Sequence, residues 1–437
     1  MECVSLLKAI RQKFFYHAGK SKPFTVDFLE ESHQSKNFDS VKNTLSLILT
    51  NNILDFWYPE VIDDRSGGYC LNCDVNGTWS QSSRKSLIEQ SRTLWFFSRM
   101  AQTKYADEKY LKAADHGYFF LKNFWDNKNC GFYWELDADT RKPTMAKKHL
   151  CAQSFALFAL AEYALSSKQP DAIELASKQF RLIDQHAYDI ANGGYTECFD
   201  EYWDELSIGE SPYRGLSPFF KTFDTHIHLV EAITEYYRLT KDSLAEERLQ
   251  ELLKLFQNKM MDKKYGTCLN HFSKNWIPVP GDLNKRVCYG HDLENLWLSI
   301  KANNLLGLSL EGFIPSFQRT FGYTLKYGYD RKHGGIFDHG PIGEKANAYG
   351  KVWWSQAEAL VAGLEMYKLT REKMYLSFFL NTLNWVVGYQ IDCGAGEWHQ
   401  RVYRRGKIQG AKAEAWKTPY HNGRAMILCL ELLNGFE

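Results

Sequence analysis

The chain has 437 residues, 44% of them hydrophobic and 24% charged, with a formal net charge of +1. This is a globular composition, and a charge so near zero excludes the strong basic field of a nucleic-acid or anionic-membrane binder. No apolar run reaches the roughly 20 residues that a membrane span needs. The start, Met1 to Lys8, is acidic at Glu2 and has no small-residue cleavage pattern, so the expectation is a cytoplasmic protein. Ten scattered cysteines suit reduced thiols better than a disulfide framework. The one close pair, Cys70 and Cys73, lacks the second CxxC of a structural zinc site; both are read as hairpin side chains and no metal is expected.

In chain order, residues 1–37 are Lys-rich with an aromatic cluster at Phe14, Phe15 and Tyr16. They read as an extension of unassigned role ahead of one domain over 38–437. Asp39–Phe56 has helical periodicity. An Asp then precedes, by four or five residues, a Gly that opens a short strand-like stretch, and this unit occurs six times: Asp63…Gly68, Asp126…Gly131, Asp189…Gly194, Asp262…Gly266, Asp330…Gly335 and Asp392…Gly396. Glycine steps of 61 to 72 residues mark a repeat architecture. Two helical patterns follow each hairpin but the last, which is followed by one. The first is mostly apolar or small: Ser91–Ser98, Ala152–Leu165, Thr225–Tyr237, His291–Leu306, Trp353–Tyr367 and Tyr420–Leu433. The second carries more charge at helical spacing: Tyr110–Trp125, Ala172–His186, Leu244–Met261, Phe313–Tyr327 and Tyr375–Gln390. A helix apolar all round is buried, while one with a polar stripe faces solvent. With Asp39–Phe56 as the sixth outer helix, the expected fold is all-α: an (α/α)6 barrel of six inner and six outer helices, with short β-hairpin loops at one mouth. Asp204–Phe220, containing Gly209, Pro212, Gly215 and Pro218, is the long loop inside a repeat and the candidate lid.

The unusual polar residues fall where the inner helices begin. His228, His291 and His421 head three of them, Arg92 and Trp353-Trp354 stand at the same place in two others, and Gln153, with Cys151 two residues before it, in the remaining one. Glu231 and Glu294, each three residues past a histidine, share that histidine's face. Asp224, Glu358 and Trp416 lie nearby in sequence. A single histidine at a helix start is more often a cap than a catalyst, but three in register with an arginine and paired tryptophans point to one site. Histidine exchanges protons near pH 6.5. Two such bases on opposite faces of an open-chain aldose can remove the C2 proton and return one on the other side, through an enediolate that cationic or N–H donors stabilise. Glycoside hydrolysis on the same barrel needs two carboxyl groups, for which Asp224, Glu294 and Glu358 are candidates, but the three histidines are then surplus. A metal set of His228, His291 and His421 lacks local ligand spacing, and no nucleotide motif is present. The 15% aromatic content, with 13 Trp, suits the apolar faces of sugar rings, although most of these residues serve the core.

In Gln90-Ser91-Arg92, in the run from Asp224 to Ala232 (DTHIHLVEA), in Gly290 to Glu294 (GHDLE), in Trp353 to Ala359 (WWSQAEA) and in Trp416 to Arg424 (WKTPYHNGR), the sequence resembles the N-acylglucosamine 2-epimerase superfamily. The likeness is closest to its cellobiose 2-epimerases and spans about residues 40–435. The resemblance implies that His291 and His421 are the acid/base pair. It implies too that Arg92 and His228 hold the enediolate and ring-opening oxygens, and that Glu294 orients His291. Trp354, Trp297 and Trp416 would stack on sugar rings, with Asp224, Trp353, Glu358 and Cys151 also lining the substrate. Two positions depart from the pattern: Asp224 stands where Asn is usual, and Cys151 where cellobiose epimerases carry a substrate-facing Tyr. The expected function is a sugar 2-epimerase needing no cofactor, acting on a mono- or disaccharide as a monomer or homodimer. The alternatives are an aldose–ketose isomerase, an N-acylglucosamine 2-epimerase, an (α/α)6 glycoside hydrolase and a sugar-binding protein without activity.

Overall fold

Cap residues and apolar faces set the helix boundaries in the computed structural model, which describes residues 38–70, 72–206, 220–403 and 406–436. The N-terminal extension over 1–37 and residues 207–219 of the candidate lid Asp204–Phe220 lie outside the described residues. Helix α1 runs Asp39–Leu47 and continues through a π-helical stretch, Ile48–Leu54, into Asp55–Trp57. It is followed by α2 (Leu87–Met100), α3 (Glu108–Leu121), α4 (Leu150–Ser167), α5 (Pro170–Ala187), α6 (Phe223–Thr240) and α7 (Ser243–Leu255). Then come α8 (Tyr289–Leu305), α9 (Ile314–Tyr323), α10 (Trp353–Thr370), α11 (Lys373–Trp385) and α12 (Tyr420–Asn434). The six even-numbered helices form the inner ring and the odd-numbered ones the outer ring, as the alternation of apolar and striped patterns predicts. Helix α4 is apolar enough to cross a bilayer by composition alone, yet 83% of it is buried inside the barrel.

Starts and stops follow local chemistry. Ser86 caps α2 in a reciprocal box with Glu89, and Asp107, Thr222 and Asp242 accept backbone N–H groups at the heads of α3, α6 and α7, satisfying donors that a helix start leaves orphaned. Lys168, Lys241 and Arg371 end α4, α6 and α10 in the left-handed conformation, turning the chain outward. The ring closes between α12 and α2. There a Cβ on Gly423 would lie 2.4 Å from the Phe96 ring, so only glycine lets the two helices approach this closely.

Each Asp…Gly unit is a tight hairpin in which the aspartate N–H donates to the carbonyl five residues on, at 2.8–3.0 Å in all six. That fifth residue is Gly68, Gly131, Gly194 and Gly335 in four units, all with positive φ. In the other two it is Thr267 and Glu397. Gly266 and Gly396, four residues past their aspartates, therefore sit one residue before the carbonyl that closes the hairpin. Five hairpin aspartates also hold a lysine from just ahead of the next inner helix: Asp63–Lys85 (2.6 Å), Asp126–Lys148 (2.9 Å), Asp189–Lys221 (2.7 Å), Asp330–Lys351 (2.9 Å) and Asp392–Lys412 (2.9 Å).

The strand ahead of each inner helix pairs, antiparallel, with the strand behind the following hairpin. β1 (Arg84–Ser86) pairs with β2 (Glu135–Asp137), which β3 (Pro143–Met145) extends; β4 (Lys148–His149) pairs with β5 (Cys198–Phe199) and β6 (Lys221–Thr222) with β7 (His271–Phe272). β8 (Arg286–Cys288) pairs with β9 (His339–Pro341), and β10 (Lys351–Val352) with β11 (Arg401–Val402), which β12 (Ile408–Gln409) extends. A bridge between Cys73 and Ala413 closes the circuit. Cys70 and Cys73 are thus hairpin residues with free thiols, as expected.

One side chain in the first turn of most inner helices clamps the hairpin below it. Gln90, Gln153 and Gln356 each accept the N–H and donate to the C=O of one residue, respectively Tyr69, Phe132 and Ile336. Asp292 accepts from Cys268 N–H at 2.9 Å. At the same register in α6 stands His226, whose Nε2 accepts from Tyr195 N–H at 3.1 Å while Nδ1 lies 2.7 Å from the Thr222 carbonyl. That geometry needs the neutral ring. Burial pushes its pKa down to about 3, so between this value and about 6.5 the unfolded chain binds a proton that the folded one refuses. Stability contributed by His226 is complete above about pH 6.5, and each pH unit below it removes about 1.4 kcal/mol until the folded ring protonates. His226→Gln, the residue three sister helices use, should keep the fold and flatten the fall of Tm between pH 7 and 4.5 relative to the parent. Parallel Tm curves for the two proteins would contradict the clamp assignment.

Candidate active site

Counted from the clamp residue, inward-facing polar groups recur at two depths. The matching residue of α12 is Asn422, which donates to Glu397 of the last hairpin at 2.7 Å. One position before the clamp, at the mouth, stand His291 and His421. Two positions after it, deeper, stand Arg92, His228, Glu294, Glu358 and Arg424. The inner helices thus bring His228, His291, His421 and Arg92 to one end of the barrel, but not in the single register that the sequence spacing suggested.

The deepest layer is ionic and dry. Arg424 Nη2 lies 2.8 Å from both Glu294 Oε1 and Glu358 Oε1, and Arg424 Nη1 bonds Glu231, which also accepts from the Tyr420 hydroxyl. The guanidinium is also stacked, 4.8 Å from the Trp297 ring and 4.1 Å from Tyr420. Three carboxylates cannot all ionise around one buried cation. Burial and then the Glu358 charge push Glu294 well above the usual carboxylate range, and its Oε2 has no hydrogen-bond partner among the described residues. Burial pushes Glu358 up to about 8. Yet Glu358 accepts from Trp297 Nε1 at 2.8 Å, from Arg424 and from His421 Nδ1 at 2.7 Å, and three N–H donors favour an ionised carboxylate. With its Nδ1 so engaged, His421 turns Nε2 toward the remaining space as a neutral base. Burial, aided by Arg92, His228 and His291, holds its pKa well below the ordinary value.

His291 lives differently. Its ring is 23% exposed, and its Nε2 lies 3.5 Å from Asp224 Oδ1, which is also 3.6 Å from His228 Nε2. Burial disfavours the imidazolium, but Cys288 and Asp224 outweigh it and raise His291 to about 9. His228, buried with its Nδ1 3.6 Å from Glu231, is pushed down to about 4. The half-buried Trp354 ring touches both mouth histidines, with centroids 4.8 Å from His291 and 5.5 Å from His421. Gly290 permits this: a Cβ there would meet Trp354 at 2.6 Å. Arg92 donates to the Trp416 carbonyl at 3.1 Å and lies over the Phe155, Tyr420 and Trp416 rings.

Several expectations change. Glu294 does not orient His291; it lies against Arg424, with Oε1 3.9 Å from His421 Nδ1, because a residue three beyond His291 points down the barrel axis. Trp297 is 1% exposed and anchors Glu358 rather than offering a sugar platform, and Trp353 is 5% exposed with Lys417 over its ring. Trp354 and Trp416 remain half-buried at the mouth, and Cys151 is buried at the head of α4. Sequence reasoning passed over Arg424, whose place three residues past His421 on the same face was the available signal. Glu294, Glu358 and His421 present donor atoms within 4.8 Å of one another, but the Arg424 guanidinium already neutralises those oxygens and disfavours a cation there.

The (α/α)6 barrel thus holds two histidines in opposite electrostatic settings over a buried carboxylate–arginine cluster. The N-acylglucosamine 2-epimerase family profile matches residues 67–425. The chain is 30% identical over 398 residues to a cellobiose 2-epimerase of Dictyoglomus turgidum, covering 88% of this chain and 96% of that one. It is 28% identical over 404 residues to a cellobiose 2-epimerase of Bacteroides fragilis, covering 90% and 98%. The cellobiose 2-epimerase structure from Bacillus thermoamylovorans superposes with a TM-score of 0.82 at 28% identity, covering 90% of this chain and 99% of that one. The chain belongs to the N-acylglucosamine 2-epimerase family and is a carbohydrate epimerase.

Glu358→Gln tests the assignment of Glu358 as the group that fixes His421. The amide cannot stabilise the imidazolium that forms on proton abstraction, so kcat should fall ~10²- to 10⁴-fold with KM changed by only a few-fold. Unaltered kcat in a variant with native Tm would refute it.

Proposed function

We propose that the protein interconverts gluco and manno configurations at C2 of a reducing-end aldose, with His291 and His421 as the two proton-transfer groups. The observation that carries this reading is the pair of mouth imidazoles in contact with one half-buried tryptophan, one ring backed by Glu358 and the other by Asp224 and Cys288. Neutral His421 is placed to take the C2 proton of the open-chain sugar, and protonated His291 to return one on the other face; in the reverse direction the roles exchange. Arg92 and the protonated carboxyl of Glu294, whose Oε2 has no hydrogen-bond partner among the described residues, supply donors for the enediolate oxygens, as a buried acid kept neutral can. The sugar ring would lie on Trp354 and Trp416. The relatives' names favour a β-1,4-linked glucose disaccharide as substrate, and the cytoplasm as the site of action follows the thiol-rich composition.

Purified protein incubated with cellobiose, mannobiose, glucose, mannose and N-acetylglucosamine, with products resolved by NMR, tests the proposal. The expected outcome is a C2 epimer of at least one disaccharide. A ketose as main product would make it an aldose–ketose isomerase, and release of monosaccharide would make it a hydrolase. His421→Ala should abolish turnover while leaving Tm within a few degrees; retained turnover would remove His421 from its role.

A further inference from the structure

Beside the proposed site, the register of one hairpin assembles a second group of side chains that the proton-transfer scheme leaves only partly used. In the antiparallel pair β8–β9, Cys288 stands directly opposite His339. Opposed residues on one face bring their Cβ atoms to within about 5.5 Å. Asp338 precedes His339, and its Oδ1 lies 2.8 Å from His339 Nδ1 while Oδ2 takes Arg401 Nη1 at 2.7 Å. Ligand atoms of Cys288, Asp338 and His339 all lie within 4.8 Å of one another. His291, one helical turn beyond Cys288, acts on the same sulfur from the other side.

Two further features separate this group from an ordinary polar contact. Cys288 occupies the N-cap position of α8 but makes no capping bond, whereas Ser86 and Thr222 at the matching position cap α2 and α6 with their side chains. Its sulfur therefore makes no bond to the backbone N–H groups that open its own helix. His339 also has its Nδ1 on a carboxylate that is itself fixed by an arginine, the arrangement that orients an imidazole to ligate through Nε2. A tetrahedral zinc site needs ligand atoms roughly 3.3–3.8 Å apart, given bonds of about 2.0–2.3 Å, so closing Cys288 and His339, which lie within 4.8 Å, takes movements of about 1 Å. The half-exposed His339 ring, 40% accessible, leaves an entry path.

We propose that Cys288, His339 and His291, with Asp338 behind His339, form a site for a soft divalent cation, Zn²⁺ being the natural occupant, and that occupancy stops turnover by drawing His291 onto the metal. A thiolate and two imidazoles select zinc or cobalt over magnesium or calcium. The inhibitory half rests on the proton-transfer role of His291 argued above; the binding half does not.

The test uses full-length protein stripped with chelator and then titrated with Zn²⁺ or Co²⁺ alone. The expected results are one tight Zn²⁺ per chain by calorimetry and a near-ultraviolet sulfur-to-cobalt charge-transfer band. Cys288→Ser should erase the band, and both Cys288→Ser and His339→Asn should weaken Zn²⁺ binding at least tenfold. Zn²⁺ should inhibit epimerisation reversibly, with the half-inhibiting concentration raised at least tenfold in either variant relative to its own uninhibited rate. Absence of the charge-transfer band in the parent protein, or Zn²⁺ binding unchanged by both substitutions, would overturn the site. Binding as expected with no effect on a measurable epimerase rate would overturn the inhibitory coupling. If the parent protein turns over no sugar, the function proposal fails while the calorimetric and spectroscopic outcomes still decide the metal site.

Discussion

One buried guanidinium holds the centre of this barrel together. Arg424 reaches Glu231 on α6, Glu294 on α8 and Glu358 on α10 from its own helix α12. Taking such charges out of water costs several kcal/mol per ion and is offset only when every partner is in place. The cluster therefore specifies the rotation of four inner helices about their axes more sharply than apolar packing can. His421 follows from it, since Glu358 spans the distance between Arg424 and the imidazole. The neutral state of Glu294 follows as well, because a third carboxylate beside one cation has no second positive charge to ionise against.

Scaffold and chemistry are separated by one or two residues along each inner helix. The clamp residues Gln90, Gln153, His226, Asp292 and Gln356 look outward to the hairpins, and the five Lys–Asp pairs lock those hairpins from beneath. Arg92, His228, Glu294 and Glu358, each two after a clamp, and His291, one before Asp292, look inward. His226 and His228 illustrate the division: two histidines at i and i+2, one a neutral structural acceptor for Tyr195, the other packed 4.5 Å from Phe155 and facing Asp224 and Glu231. In α10 the division falls between neighbours, with Trp353 a core residue and Trp354 a mouth residue.

Much of the fold was legible because a repeat of 61 to 72 residues shows the same hydrophobic code six times, so errors in one unit are corrected by the others. Helix identity, alternation and closure all rest on that redundancy. The Asp-to-Gly spacing shortens to four in two units because Thr267 and Glu397 replace glycine where the chain still makes the same turn. At the site, Arg92, His228, His291 and His421 converge as the spacing implied. The roles of Glu294 and Trp297 were not legible, because helical periodicity tells which face a residue occupies but not its depth along a barrel axis. The partners of Arg424 and the Cys288–His339 pair were not legible for another reason: each depends on contacts across 50 or more residues that only the closed ring and the strand register create.

The central claim is that two bases of opposite resting protonation serve opposite faces of one carbon. Reaction in D₂O, sampled by NMR and mass spectrometry at early conversion, tests it most directly. The account predicts that each epimerised sugar carries deuterium at C2 while the unreacted pool keeps protium, because the proton returned comes from His291 and not from the group that removed the first. Equal deuterium in product and residual substrate, or product without deuterium, would contradict it.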